Sequence, residues 1–136
     1  MITVIASAFR ADADLRTNHT NHKRALSLLA SNGLSAHEAI GSWKEEGQEV
    51  AAQELSLVIS ASWDNLQGLR ALFLEGFKQD AILIINEMEG RLASLAFNDG
   101  TSMDLGAFQE IPEAEALASE CYTFMDGSYY VAKEVA

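Results

Sequence analysis

The sequence predicts an α+β fold: a ferredoxin-like βαββαβ sandwich with extra C-terminal strands, one antiparallel sheet carrying both helices on a single face. Three observations predict it. Strand-length apolar runs and helical stripes follow one another in the order β-α-β-β-α-β. Two of the strands are apolar on both sides. No Pro/Gly-rich linker or internal repeat divides residues 1–136, which read as a single domain.

Strand one runs from about Ile2 to Phe9. Its apolar run has no positively charged lead and stops at Arg10, Asp12 and Asp14, so it reads as a buried strand and not as a signal peptide. A polar stretch follows (Asp12, Asp14, Arg16, Thr17, Asn18), then a helix from about Asn21. Ala25, Leu26, Leu28 and Leu29 form its apolar stripe, and Asn32-Gly33 stops it. A weaker extended segment covers Ala39 to Lys44. Ala52 to Ser60 alternates clearly, with Leu55, Leu57 and Ile59 on one side and Glu54, Ser56, Val58 and Ser60 on the other. A second helix starts near Ser62 and aligns Trp63, Leu66, Leu69, Phe73 and Phe77. Asp80–Ile85 and Arg91–Phe97 are strands. Shorter extended pieces follow at Thr101–Phe108 and Cys121–Val131, the latter folded back at Asp126-Gly127.

In strand one Ile2, Val4 and Ala6 alternate with Thr3, Ile5 and Ser7, so apolar residues lie on both faces. Ile82 and Ile84 alternate with Leu83 and Ile85 in the same way. Two helices cover one sheet face only, which leaves the C-terminal strands or a second subunit to cover the other. The expectation is a PII-like oligomer, specifically a homotrimer with the active site at the subunit interface.

Composition narrows the function. There are 20 Asp+Glu against 9 Lys+Arg, a formal charge of −11, which excludes a basic, phosphate-tracking nucleic-acid binder. A hydrophobic fraction of 49% excludes a disordered acidic tail. The lone Cys121 excludes a disulfide scaffold and points to a reducing, cytoplasmic setting. No stretch approaches the roughly 18 apolar residues of a membrane helix, so no membrane partner is expected.

Motifs for familiar chemistries are missing. His19 and His22 lie three apart, but no Cys or further His completes a metal set, and no metal is expected. There is no G-x-S-x-G elbow, no G-x-G-x-x-G and no P-loop. Two features remain. Glu54 and Ser56 occupy the strand face argued to be covered, where a carboxylate is ion-paired, at a wet strand end, or meant for a cationic ligand. The loop-like run Gly106–Pro112 brings Phe108, Gln109 and Glu110 together before the only proline.

With these residues in view, the chain resembles the phage-encoded S-adenosylmethionine-degrading enzymes (SAMases) of short-tailed coliphages. The matches run in order: Ser7-Ala8-Phe9-Arg10 closing strand one; Asn18 with His22 four residues on; Glu54; Gln79-Asp80; Gly106-x-Phe108-Gln109-Glu110-x-Pro112; and Cys121-Tyr122-Thr123. The sequence departs from the family in the spacing around Trp43, and in Gln53, where the family can carry a second Glu. That departure leaves Glu54 as the sole acid there.

The resemblance implies that S-adenosylmethionine is the substrate, that no cofactor takes part, and that 5′-methylthioadenosine is released as a counter-defence against host methylation and restriction. The family is commonly described as hydrolytic. The sulfonium leaving group, however, needs neither acid nor metal, and the substrate's own carboxylate can close a five-membered lactone. Well-oriented intramolecular attack reaches effective molarities of about 10⁵–10⁸ M, far above bound water. A lyase yielding homoserine lactone is therefore expected, with a hydrolase as the alternative. In this reading Glu54 holds the substrate's ammonium or sulfonium charge, or serves as general base for water. Phe9 and Phe108 pack on adenine or are core aromatics. Ser7, Ser56 and Gln109 donate neutral hydrogen bonds. Arg10 meets the substrate carboxylate or bridges to an acid such as Glu110. The non-enzyme readings are an acidic DNA mimic that blocks restriction and a sensor without turnover.

Overall fold

The computed structural model of the chain describes residues 1–43 and 52–133. Eight strands form a closed antiparallel barrel: β1 (Ile2–Ala6), β2 (Ser35–Trp43), β3 (Ala52–Ala61), β4 (Ala81–Asn86), β5 (Leu92–Phe97), β6 (Ser102–Ile111), β7 (Cys121–Met125) and β8 (Ser128–Lys133). Their order around the barrel is β1-β3-β2-β7-β8-β6-β5-β4, and β4 pairs back onto β1. Helix α1 (Leu15–Ser31) links β1 to β2. Between β3 and β4 the turns Trp63–Asn65, Leu66–Arg70 and Ala71–Gly76 follow one another as one helical segment, α2. A short helix, α3 (Glu113–Leu117), precedes β7.

This architecture corrects the predicted ferredoxin-like sandwich and PII-like oligomer. Strands β4-β1-β3-β2 do lie side by side in that order. The sheet does not end there, because β2 pairs with β7, β4 pairs with β5, and β6 and β8 complete the circuit. Closure removes the open edges and turns the second face of the sheet into a lumen. Of the two candidates for covering the second apolar face, the C-terminal strands do so within one chain.

The two faces of the strands make two cores. Outside, Ile2, Val4, Leu57, Ile59, Ile82 and Ile84 pack under Ala25 and Leu29 of α1 and under Leu69 and Phe73 of α2. Inside, Ile5, Ala39, Val58, Ile85, Ala93, Phe108 and Met125 fill the lumen, with Leu83, Leu105, Tyr130 and Ala132 against them. An eight-stranded barrel is just wide enough for side chains to fill, and this one is filled.

Several boundaries move. Helix α1 begins at Leu15, ahead of the predicted Asn21, because Asp14 caps it by accepting a hydrogen bond from the Thr17 N–H at 2.7 Å. Its buried stripe is Asn18, His22, Ala25 and Leu29, half of it polar. The extended segment predicted at Ala39–Lys44 begins earlier, at Ser35, and Lys44 lies outside the described residues. Trp63, placed on the buried face of the second helix by its spacing, is 52% exposed. The run from Gly106 is not a loop but the second half of β6. A bulge opposite Ala93/Ser94 admits the extra residue Leu105, and Gly106 takes φ +98, a left-handed value that a side chain would oppose. Among the described residues, no helix is long and apolar enough to cross a membrane.

Candidate active site

Glu54 lies near the start of β3 and shares its face with Ser56 and Val58, so it points to the lumen. It is half-buried, and burial pushes its carboxyl above the ordinary carboxylate range. Ser56, one step deeper, is buried. Across the ladder Glu54 pairs with Gly41, and Gly41 pairs on its other side with Thr123. A Cβ on Gly41 would stand 3.0 Å from the Ser56 hydroxyl and 4.0 Å from Glu54 Cγ, so the glycine keeps space open beside both groups.

Because β1 and β3 are antiparallel, with Ala6 opposite Leu57, the end of β1 lies beside the start of β3. Ser7 is buried there. Its hydroxyl donates to the Leu55 carbonyl at 2.7 Å and accepts from the Phe9 N–H at 3.0 Å. The structure thus brings Ser7, Glu54 and Ser56 to one end of the barrel, with Thr123 beyond Gly41.

The other predicted residues do not join them. Phe9 is turned toward α1, edge-on to His19 and His22 with ring centroids 5.3 and 6.1 Å away. The Arg10 guanidinium is engaged by Asp12, with Nε 2.8 Å from a carboxylate oxygen, and it donates to the Lys78 carbonyl; it does not bridge to Glu110. Phe108 is a lumen residue, 3% exposed. It stacks on Tyr130 at 5.5 Å and 8°, with the Arg91 guanidinium 5.3 Å from its ring. Gln109 and Glu110 are exposed on β6. The ladder from Glu54 passes through Gly41, Thr123 and Tyr130 to Glu110. Those are four steps of about 4.8 Å, roughly 19 Å along the wall. Gln53, the departure from the family pattern, is exposed and bonds the Tyr122 hydroxyl at 3.3 Å.

Sequence reasoning missed Gly41, for which a glycine inside a strand was the available signal. Thr123 stood in the matching Cys121-Tyr122-Thr123 run, but its place beside Gly41 needs the β2–β7 pairing to be known.

Other chemistries find little support. Among the described residues, no group of three or more His, Cys, Asp or Glu stands together as a metal set. His22 is buried with Nε2 3.4 Å from a Glu38 oxygen, and His37 lies 3.7 Å from Asp126. Cys121 is exposed as a residue, yet its strand partly shields the sulfur. That shielding, and then Glu120, push the thiol above its ordinary value, the opposite of an activated nucleophile.

The site is thus a half-buried carboxylate among neutral hydroxyls, with no base–nucleophile pair among the described residues. Such a site suits a cationic substrate that brings its own leaving group. Comparison with known proteins agrees. No curated protein matches the chain. The model of the S-adenosylmethionine lyase family matches residues 4–133, nearly its whole length: the chain belongs to that family, whose substrate is S-adenosylmethionine.

Proposed function

We propose that the enzyme converts S-adenosyl-L-methionine to 5′-methylthioadenosine and L-homoserine lactone. The substrate's carboxylate oxygen attacks its own γ-carbon, and the bond from that carbon to sulfur breaks. The electron pair goes to sulfur and neutralises the sulfonium, so no proton moves. Attack by an anion on a cationic centre gains from a site with little water. The observation that carries this reading is Glu54, a carboxylate raised by burial, with the Ser56 hydroxyl on the same face beside the space that Gly41 leaves.

Glu54 is best used on the substrate ammonium. That charge is the same before and after reaction, so holding it leaves the barrier untouched, whereas pairing with the sulfonium would stabilise the ground state. The hydrolytic alternative makes Glu54 a general base for water, and a raised carboxyl suits that role too. Early in turnover, chromatography should show methylthioadenosine and homoserine lactone accumulating together. Homoserine as the first product would support the hydrolase.

The site residues named from the sequence are divided within one chain, with Glu54, Ser56 and Ser7 at one end and Gln109 and Glu110 exposed across the wall. A homotrimer that seats Gln109 and Glu110 of one copy beside Glu54 of another would reunite them, and it forms part of the proposal. Inactive Glu54→Gln and Glu110→Gln proteins, unfolded together and refolded as a mixture, should then regain part of the activity. A mixture as inactive as its components would rule the shared site out.

The biological role in this reading is phage counter-defence in the host cytoplasm, by depleting the methyl donor of methylation and restriction systems. Expression in a restricting host should lower DNA methylation; unchanged methylation at full enzyme activity would exclude that role.

A further inference from the structure

The chain leaves β1 at Ala6, and the main-chain groups beyond it no longer have a ladder partner. Four consecutive ones are nevertheless all paired, each by a side chain. The Phe9 N–H donates to the Ser7 hydroxyl at 3.0 Å, and the Phe9 carbonyl accepts from Gln79 Nε2 at 2.7 Å. The Arg10 N–H donates to Asn18 Oδ1 at 2.9 Å, and the Arg10 carbonyl accepts from Asn18 Nδ2 at 3.0 Å. The partners come from three places: the end of β1, helix α1 and the segment before β4.

This is a costly way to satisfy a surface turn, whose backbone water could serve. Asn18 is buried in α1, where an amide is a poorer helix former than alanine and must find all its partners. The result is a fixed path for Ser7–Arg10. Ser7 is seated on the Leu55 carbonyl, one residue from Glu54 and one from Ser56.

We infer that Asn18 and Gln79 are positioning residues for the reaction: by clamping the backbone of Phe9 and Arg10 they hold Ser7 on the strand that presents Glu54. The inference rests on the reading of Glu54 as the substrate-holding carboxylate. Neither amide touches the substrate; both act through Ser7. A misplacement of about 1 Å at a reacting centre costs on the order of 10²-fold in rate.

The test measures S-adenosylmethionine turnover per folded molecule, well below the unfolding temperature, for Asn18→Ala, Asn18→Asp, Gln79→Met, Ser7→Ala and the double variant Ser7→Ala/Asn18→Ala. Asn18→Ala removes both bonds to Arg10, and Asn18→Asp keeps only the acceptor. The expected result is a fall in kcat of about tenfold to a hundredfold for Asn18→Ala and less for Asn18→Asp, with KM changing by much less. The double variant should be no slower than Ser7→Ala alone, since the clamp has nothing left to position. Variants that lose thermal stability but keep wild-type kcat per folded molecule would overturn the inference, as would strictly additive losses. Glu54→Gln in the same assay separates the failures. Wild-type kcat/KM there refutes the underlying site reading, whereas a much lower kcat/KM for Glu54→Gln beside fully active Asn18 and Gln79 variants refutes the clamp alone. If the Asn18 and Gln79 variants do not fold, amide exchange in the unmodified protein decides. Saturation with methylthioadenosine should slow exchange at Phe9 and Arg10 at least about tenfold, and unchanged exchange would overturn the inference.

Discussion

Replacing Glu54 with Gln is expected to lower kcat/KM for S-adenosylmethionine by about 10²–10³-fold, mainly through a higher KM, while leaving the fold at least as stable as before. Gln keeps the shape of the side chain and removes its charge, so a loss of this size isolates the electrostatic role. The stability side follows from burial. The Glu54 carboxyl is raised in the folded protein because desolvation disfavours its charged form. A group raised on folding contributes stability that is full below its unfolded value and is lost as pH climbs through the folded one. At neutral pH the buried charge therefore weakens the fold, and Glu54→Gln should raise the melting temperature or leave it unchanged. The wild-type pH profile should show the same group. On acidification kcat/KM should fall through a step above the ordinary carboxylate range, as protonation removes the anion that holds the ammonium. That step should be absent from whatever activity Glu54→Gln retains. A drop in both activity and melting temperature would mean that Glu54 is structural.

Phe108→Ala is expected to destabilise the protein by about 3–5 kcal/mol, read as a lower urea midpoint at an unchanged slope. The ring is buried in the lumen between Tyr130 and Arg91, and truncation leaves a cavity that a closed barrel cannot collapse into. The conservative Phe108→Leu separates this role from the adenine contact inferred from sequence. If Phe108 is packing alone, Phe108→Leu costs part of the stability and leaves KM for S-adenosylmethionine near wild type. A marked rise in KM with stability intact would return Phe108 to the substrate.

Local pattern carried much of this structure. The two-faced apolarity of Ile2–Ser7 and of Ile82–Ile85 was legible, and each face is buried, one under the helices and one in the lumen. The alternation of Ala52–Ser60 correctly turned Glu54 and Ser56 away from the helices. The C-terminal strands were one of two candidates for covering the second face, but their closure into a barrel was not legible. Closure depends on β2 meeting β7 and on β6 meeting β8, pairings between short segments distant in sequence that leave no local signature. The start of α1 was hidden because its buried stripe begins with Asn18 and His22, which read as solvent-facing. Gly106 and Pro112 made a strand look like a loop, when the glycine serves a bulge and the proline ends the strand and starts α3. The site followed the same division. Glu54 is visible from alternation, Ser7 and Ser56 from their neighbours, but Phe108, Gln109 and Glu110, together in sequence, lie on a strand that turns Gln109 away from the other two.

Turnover in heavy-oxygen water tests the central claim most directly, with the products analysed from the earliest time points. Intramolecular attack predicts a homoserine hydroxyl free of label, with label entering only the carboxylate as the lactone later opens at its carbonyl. Label in the hydroxyl from the first turnover would contradict the account and make water the nucleophile.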